Sequence, residues 1–364
     1  VLSSLRLIHI SDLHFGEQYY QRPRKTQTFG QQRHSSAAAE ALALAVQEIR
    51  SRKDGEYSVP TRVIATGDLT AAGTAPSLET AFRYLRKAGP KDYPPGLAES
   101  CALAVPGDQD MGKAGAEIRA SESARRAWQQ RFLPPPDAQC DFEFLQSGST
   151  ANGTPANWFP YRVPLISGSL EISLYGLDST AGVSPDGPPE SGAIGQDQRD
   201  RLVAMVKEEE SREQPGKQRI RIAAIHHALT GRPSAGLAGL LTDRKAVSET
   251  LQRLGFLAVL SGYTPHAGSA EGGYYVGLVR PDEAYPVIYS FTSGATLHAG
   301  GGLDTYEDRV HQRFNLYEFS LDEAVDSLTI ALTVYCRGKM GHFLRAAAPF
   351  MIEVPGLSSY RAQF

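Results

Sequence analysis

Apolar residues along this chain come mainly in short runs, and several runs end on the same punctuation, a turn-forming residue followed by a carboxylate or an imidazole. In Leu7–Gly16 the run Leu7, Ile8 and Ile10 predicts a short buried strand, with Asp12 and His14 just past its end. Period-two alternation would turn both side chains to the same side. Arg62–Ala65 predicts a second buried strand that exits through Gly67 and Asp68, and Cys101–Val105 a third that exits through Gly107-Asp108-Gln109-Asp110. Further on, Arg219–Ile225 hands directly to His226-His227, and Phe256–Leu260 leads into Ser261-Gly262-Tyr263-Thr264-Pro265-His266.

Helical periodicity fills the intervals. Ser35–Lys53 carries a 3.6-residue stripe at Ala38, Leu42, Ala45, Val46 and Ile49, and Pro76–Lys87, Glu117–Phe132, Gln196–Glu210 and Asp243–Leu254 also read as helices. Strands alternating with helices predict an α/β fold whose site lies at the carboxyl ends of the strands. Tyr161–Ile166 and Leu170–Leu177 alternate like a hairpin, and Tyr274–Val279, Pro286–Thr292, Phe314–Phe319 and Leu328–Tyr335 read as antiparallel strands. The chain, residues 1–364, is expected to be a single domain with a Pro/Gly/Ser-rich insertion at about 133–160 and C-terminal strands at about 274–336. Glu17–His34 is polar and aperiodic; it reads equally as a loop bringing Arg22, Arg24, Lys25 and Arg33 to an anion, or as a solvated loop with scattered charges.

Composition narrows the function classes. With 37 basic and 40 acidic side chains, a net charge of -3 argues against a general nucleic-acid surface, and no apolar run predicts a membrane span. Three cysteines, Cys101, Cys140 and Cys336, without a C-x-x-C pair point to free thiols and a cytoplasmic location. A first residue other than Met leaves open that further domains of a larger parent protein belong to it.

In order, Asp12-x-His14, Gly67-Asp68, Gly107-Asp108-Gln109-Asp110, His226 and Gly262-x-x-x-His266 resemble the motif series of the calcineurin-like metallophosphoesterases: D-x-H, G-D, G-N-H-D/E, a lone H, and G-H-x-H. The resemblance implies a four-layer α/β/β/α sandwich with two central mixed sheets. It also implies a centre of one or two divalent transition metals, Mn, Fe or Zn, and hydrolysis of phosphoester bonds by a metal-activated hydroxide. By resemblance Asp68 bridges two metals, Asp12, His14 and His266 complete one, and Asp108 and His226 complete the other.

Two motifs depart from the pattern. Asp108 stands where the family has Asn, and Gln109 where it has the His that assists the leaving group. Gln cannot titrate, so acid assistance worth roughly 10²–10⁴ in rate is missing there. Tyr263 occupies the first position of the last motif, and His266 lies one residue late. Tyr263 and His227 remain possible metal or substrate contacts, with His227 expected to point away along its strand in a packing or supporting role. Two functions follow. One is a hydrolase of phosphodiesters or activated monoesters in which Asp68, Asp108 and Gln109 sit at the chemistry. The other is a catalytically impaired module of the same fold that binds a nucleotide, phosphoester or protein partner.

Overall fold

The computed structural model describes residues 3–16, 33–34, 36–54, 57–86, 96–99, 103–111, 122–133, 141–144, 158–181, 191–212, 216–230, 240–262, 276–294, 296–299 and 312–364. In chain order these form β1 (Ser4–Ile10), β2 (Arg33–His34), α1 (Ser36–Ser51), β3 (Lys53–Asp54), β4 (Tyr57–Ser58), β5 (Thr61–Thr66), α2 (Ala75–Arg86), β6 (Leu103–Val105), α3 (Glu122–Phe132), β7 (Glu143–Phe144), β8 (Tyr161–Ser167) and β9 (Leu170–Gly176). There follow α4 (Gln196–Ser211), β10 (Gln218–Ile225), α5 (Arg244–Arg253), β11 (Phe256–Ser261), β12 (Val276–Val279), β13 (Ile288–Thr292), β14 (His298–Ala299), β15 (Arg313–Asp322), β16 (Ser327–Arg337), β17 (Phe343–Arg345) and β18 (Phe350–Pro355).

Two mixed sheets result. The first runs β17-β16-β15-β1-β5-β6, with β18 also on β16, and the second runs β12-β13-β11-β10-β9-β8-β7. In the first, β1, β5 and β6 are parallel, so Ile10 pairs with Ala65 and Thr66 with Val105, and their carboxyl ends finish side by side. In the second, β9, β10, β11 and β13 are parallel, with Ile225 opposite Ser261.

The α1 stripe Ala38, Leu42, Ala45, Val46 and Ile49 is buried, and it joins α2, α3 and both sheets in one hydrophobic core. A second core seals the far face of the second sheet, where Leu202, Met205 and Val206 of α4 and Val247 and Leu251 of α5 meet Tyr175, Ala223, Ile225 and Val259. The layers are therefore helices, sheet, sheet, helices, the sandwich expected. Polar contacts also cross between the sheets: Tyr161 Oη donates to Ala104 O at 2.8 Å, and Asn315 Nδ2 to Thr292 O at 3.2 Å.

Two expectations need correction. Pro286–Thr292 was expected to pair antiparallel, yet β13 lies parallel to β11, with Ala258 opposite Tyr289, and only its pairing with β12 is antiparallel. Alternation has period two in both cases, so it reports burial and not direction. The last strands, β17 and β18, extend beyond the expected end of the sheet: the apolar stretch Phe350-Met351-Ile352 signals β18, and β17 is only three residues long with two of them exposed. Among the described residues no helix is long and apolar enough to cross a membrane.

Candidate metal centre

The site forms where β1, β5, β6 and β10 end. Beyond β1 and β5 the two chains continue side by side: Asp12 N donates to Gly67 O at 3.1 Å, His14 N to Asp68 O at 2.9 Å and Phe15 N to Leu69 O at 2.8 Å. Asp12, His14 and Asp68 adopt left-handed backbone with φ of 53°, 48° and 50°, shared among described non-glycine residues by Ala98 and Asp326 alone. Such conformations cost about 1–3 kcal/mol each and persist only where surroundings enforce them. Strand alternation is therefore not what brings Asp12 and His14 together; the chain has left the extended region, and the hydrogen bonds to the neighbouring loop set their direction.

Two motif glycines are explained by close approach. A Cβ on Gly67, itself at φ 92°, would run into the His226 imidazole, and one on Gly107 into the Asp68 carboxylate and backbone nitrogen. Asp110, the last residue of the third motif, is fully buried and ties the loops together: it accepts from Thr70 N at 2.8 Å, Thr70 Oγ1 at 3.0 Å and Gly107 N at 3.0 Å. Burial, reinforced by the Asp68 charge, pushes its carboxyl up to about 7. The sequence reading passed over this residue, and the signal was its place in the motif.

Asp12, His14 and Asp68 are buried, and each offers a ligand atom within 4.8 Å of the others. His226 adjoins them through Asp68, with Nε2 3.7 Å from Oδ2. Asp108 faces His227 instead, Oδ1 to Nε2 at 3.4 Å. His227 does not point away: β10 ends at Ile225, so alternation stops before the histidine pair, and the ring stands against Asp108. Tyr263 and His266 lie outside the described residues.

The second nitrogens fix how the imidazoles are presented. His14 Nδ1 donates to Gln109 Oε1 at 2.7 Å and His226 Nδ1 to Thr66 O at 2.9 Å; both acceptors are carbonyl oxygens, so Nδ1 of each ring carries a proton and Nε2 faces the carboxylates. Holding one ring nitrogen on an oxygen while the other meets a cation is the usual arrangement of metal-ligating histidine. Gln109 thus supports His14, and its backbone nitrogen donates to Asp68 Oδ1 at 2.9 Å.

Charge is concentrated here. Burial works against an imidazolium at His226, but the Asp68, Asp12 and Asp108 carboxylates overcome it and push the group up to about 9. His14 is raised against the same burial penalty by its Asp12 hydrogen bond and by the Asp68 charge. Burial raises Asp68, more than His226 and His14 can offset, whereas Asp12 overcomes burial through His14, His226 and Ser11 and ends below the usual carboxylate range. Ser11 Oγ donates to Asp12 Oδ2 at 2.5 Å. The buried carboxylates thus favour positive charge at this cluster.

No protein-family model matches the chain, and no curated protein matches it in sequence. Among solved structures it is similar to the NAD nucleotidase NadN of Haemophilus influenzae, at 11% identity and a TM-score of 0.46, over 96% of this chain and 61% of that one. It is also similar to Vps29 of Chaetomium thermophilum, at 10% identity and a TM-score of 0.30, over 96% of this chain and 98% of that one. The chain thus spans less than two thirds of the nucleotidase, and at these identities the likenesses carry no residue roles. The chain's own topology, with described motif residues at the carboxyl ends of parallel strands in two mixed sheets, is the layered arrangement that the motif resemblance implies.

Proposed function

We propose that this chain is a metal-dependent hydrolase of phosphoester bonds. The observation that carries the reading is the Asp12–His14–Asp68 group, whose donor atoms lie within 4.8 Å of one another. The donor set fits a first-row divalent metal, Mn, Fe or Zn, because it mixes carboxylate oxygens with imidazole nitrogens, and a dication would supply positive charge among these carboxylates. Asp12, His14 and Asp68 would hold one ion, with His266 as a further candidate, and Asp68, Asp108 and His226 a second. Bound metal lowers the pKa of water and polarises a phosphoryl oxygen.

The chain's own residues define the rest of the chemistry. Asp68 stands between both donor sets and His14 is oriented by Gln109, so Gln109 acts on a ligand and not on a leaving group. With no titrating side chain at that position, the suitable substrates are phosphodiesters or activated monoesters, whose leaving groups depart with little protonation. The described cysteine Cys336 is a free thiol, in keeping with the expected cytoplasmic setting, and a nucleotide or other small phosphoester is the substrate class.

The test is hydrolysis of bis-p-nitrophenyl phosphate with Mn, Fe or Zn, against Asp68→Ala. Metal-dependent turnover lost in the variant supports the reading. Turnover no higher than the variant's with every metal refutes it and leaves the binding module, a reading favoured by the commitment of the Gln109 side chain to His14.

A further inference from the structure

Three imidazoles stand at the mouth of the site, and they are held in two different ways. Nδ1 of His14 and of His226 faces a carbonyl oxygen, an acceptor only. His227 Nδ1 faces a hydroxyl, Ser179 Oγ, at 2.8 Å. That oxygen already accepts the backbone N–H of His227 at 3.2 Å. Ser179 has no exposed surface, so its hydroxyl hydrogen needs an acceptor inside the protein, and among the described contacts His227 Nδ1 is the one available. The proton of the His227 ring is thereby placed on Nε2.

That nitrogen is buried, makes no hydrogen bond in the structure, and lies 3.4 Å from Asp108 Oδ1. At this separation a modest reorientation of the ring or the carboxylate would complete a charge-assisted hydrogen bond. Asp108 is half-buried.

The geometry points to His227 as a positioning residue for Asp108. The inference rests on the reading of Asp108 as a ligand of the second metal. An Asn at this position would offer a metal one oxygen; Asp108 brings two oxygens and a negative charge. His227 engages one of the two oxygens, so that the carboxylate presents a single oxygen as an amide does, and Ser179 fixes the tautomer that makes this possible. His14 and His226 are held to give a lone pair to a cation, and His227 is held to give a proton to a carboxylate.

Nitrogen NMR of the full chain labelled at histidine, recorded with and without Zn, reads the tautomers directly. The expected result is the proton on Nε2 of His227 with and without zinc, and on Nδ1 of His14 and His226 in the zinc-loaded protein. A proton on Nδ1 of His227 overturns the proposal, and a zinc-dependent shift of its Nε2 makes it a ligand instead. Calorimetric titration with Mn supplies the second arm. His227→Phe is expected to weaken the second site about 10-fold while leaving the first within about 3-fold, and His227→Gln, which keeps an N–H donor, to restore it. In an Asp108→Asn background the same His227→Phe change should have an effect under about 2-fold, because there is no surplus oxygen to engage. Equal losses in both backgrounds, or no loss in either, overturn the proposal. Ser179→Ala, a smaller change, should free the tautomer and weaken only the second site if His227→Phe does not fold. A wild-type chain that binds no metal refutes the proposed function, and the NMR arm then decides the His227–Asp108 relationship by itself.

Discussion

Gln109 Oε1 accepts a hydrogen bond from His14 Nδ1 at 2.7 Å, joining two residues 95 positions apart in the chain. The bond holds the His14 ring with Nε2 toward Asp12 and Asp68. Gln109→Ala removes the acceptor and lets the ring turn, so affinity for the first metal should fall roughly 10–100-fold, the usual cost of losing such a support. Competition against a chromogenic chelator measures it. Affinity unchanged in the variant would mean that the ring is held by its other contacts.

Gly107 is packed against Asp68 so closely that no side chain fits. Gly107→Ala must push apart the loops that follow β5 and β6. An overpacking cost of about 1–3 kcal/mol is expected in urea unfolding, together with loss of metal binding, because the displaced group is a proposed ligand. A variant that unfolds at the wild-type midpoint would show that the loops yield without strain.

His9 is fully buried, with Nε2 2.8 Å from Thr66 Oγ1 and Nδ1 3.3 Å from Tyr317 Oη. Burial, opposed in part by Asp12, pushes its pKa down to about 3, against 6.5 for an exposed histidine. Between these values the unfolded chain binds a proton that the native protein refuses, so stability is intact above about pH 6.5 and falls as the pH drops toward 3. This one group contributes a slope near 1.4 kcal/mol per pH unit well below 6.5. Unfolding free energies at pH 7, 6 and 5 should show a shallower decline in His9→Asn, by about one proton. An identical slope in both proteins would contradict the assignment.

Beneath α4 a buried ion network holds the second sheet to its helix. Arg162 reaches Glu171 at 2.6 Å, Glu209 at 2.8 Å and Glu143 at 2.7 Å, and Arg221 reaches Glu209 at 2.5 Å. Glu209→Ala leaves two buried guanidinium groups short of a partner and is expected to destabilise the fold by about 3–5 kcal/mol. Glu209→Gln should cost less, and neither change should alter metal affinity. Chemical denaturation and metal titration of the two variants separate these outcomes.

Much of the site was legible because the sequence repeats one local device. A buried strand ends, a glycine follows, and a carboxylate comes next, at Gly67-Asp68 and again at Gly107-Asp108; the structure shows each glycine wedged against a residue of the site. Ser179 carried no such signal, since a serine after an apolar strand is common and its value lies wholly in the distant His227. Gln109 was read as a loss, the absence of a titrating group, and its positive role depends on a contact between the loops following β1 and β6.

The sequence by itself determined which segments are buried, where they stop, and which donor types stand at the stops, because burial is written in the spacing of apolar residues. Only the tertiary structure decided that β13 runs parallel to β11, that Asp12, His14 and Asp68 leave the extended region, and which nitrogen of each histidine faces the carboxylates. Strand pairing and imidazole tautomers are set by partners from remote parts of the chain, and no local pattern encodes a partner that packing has yet to supply.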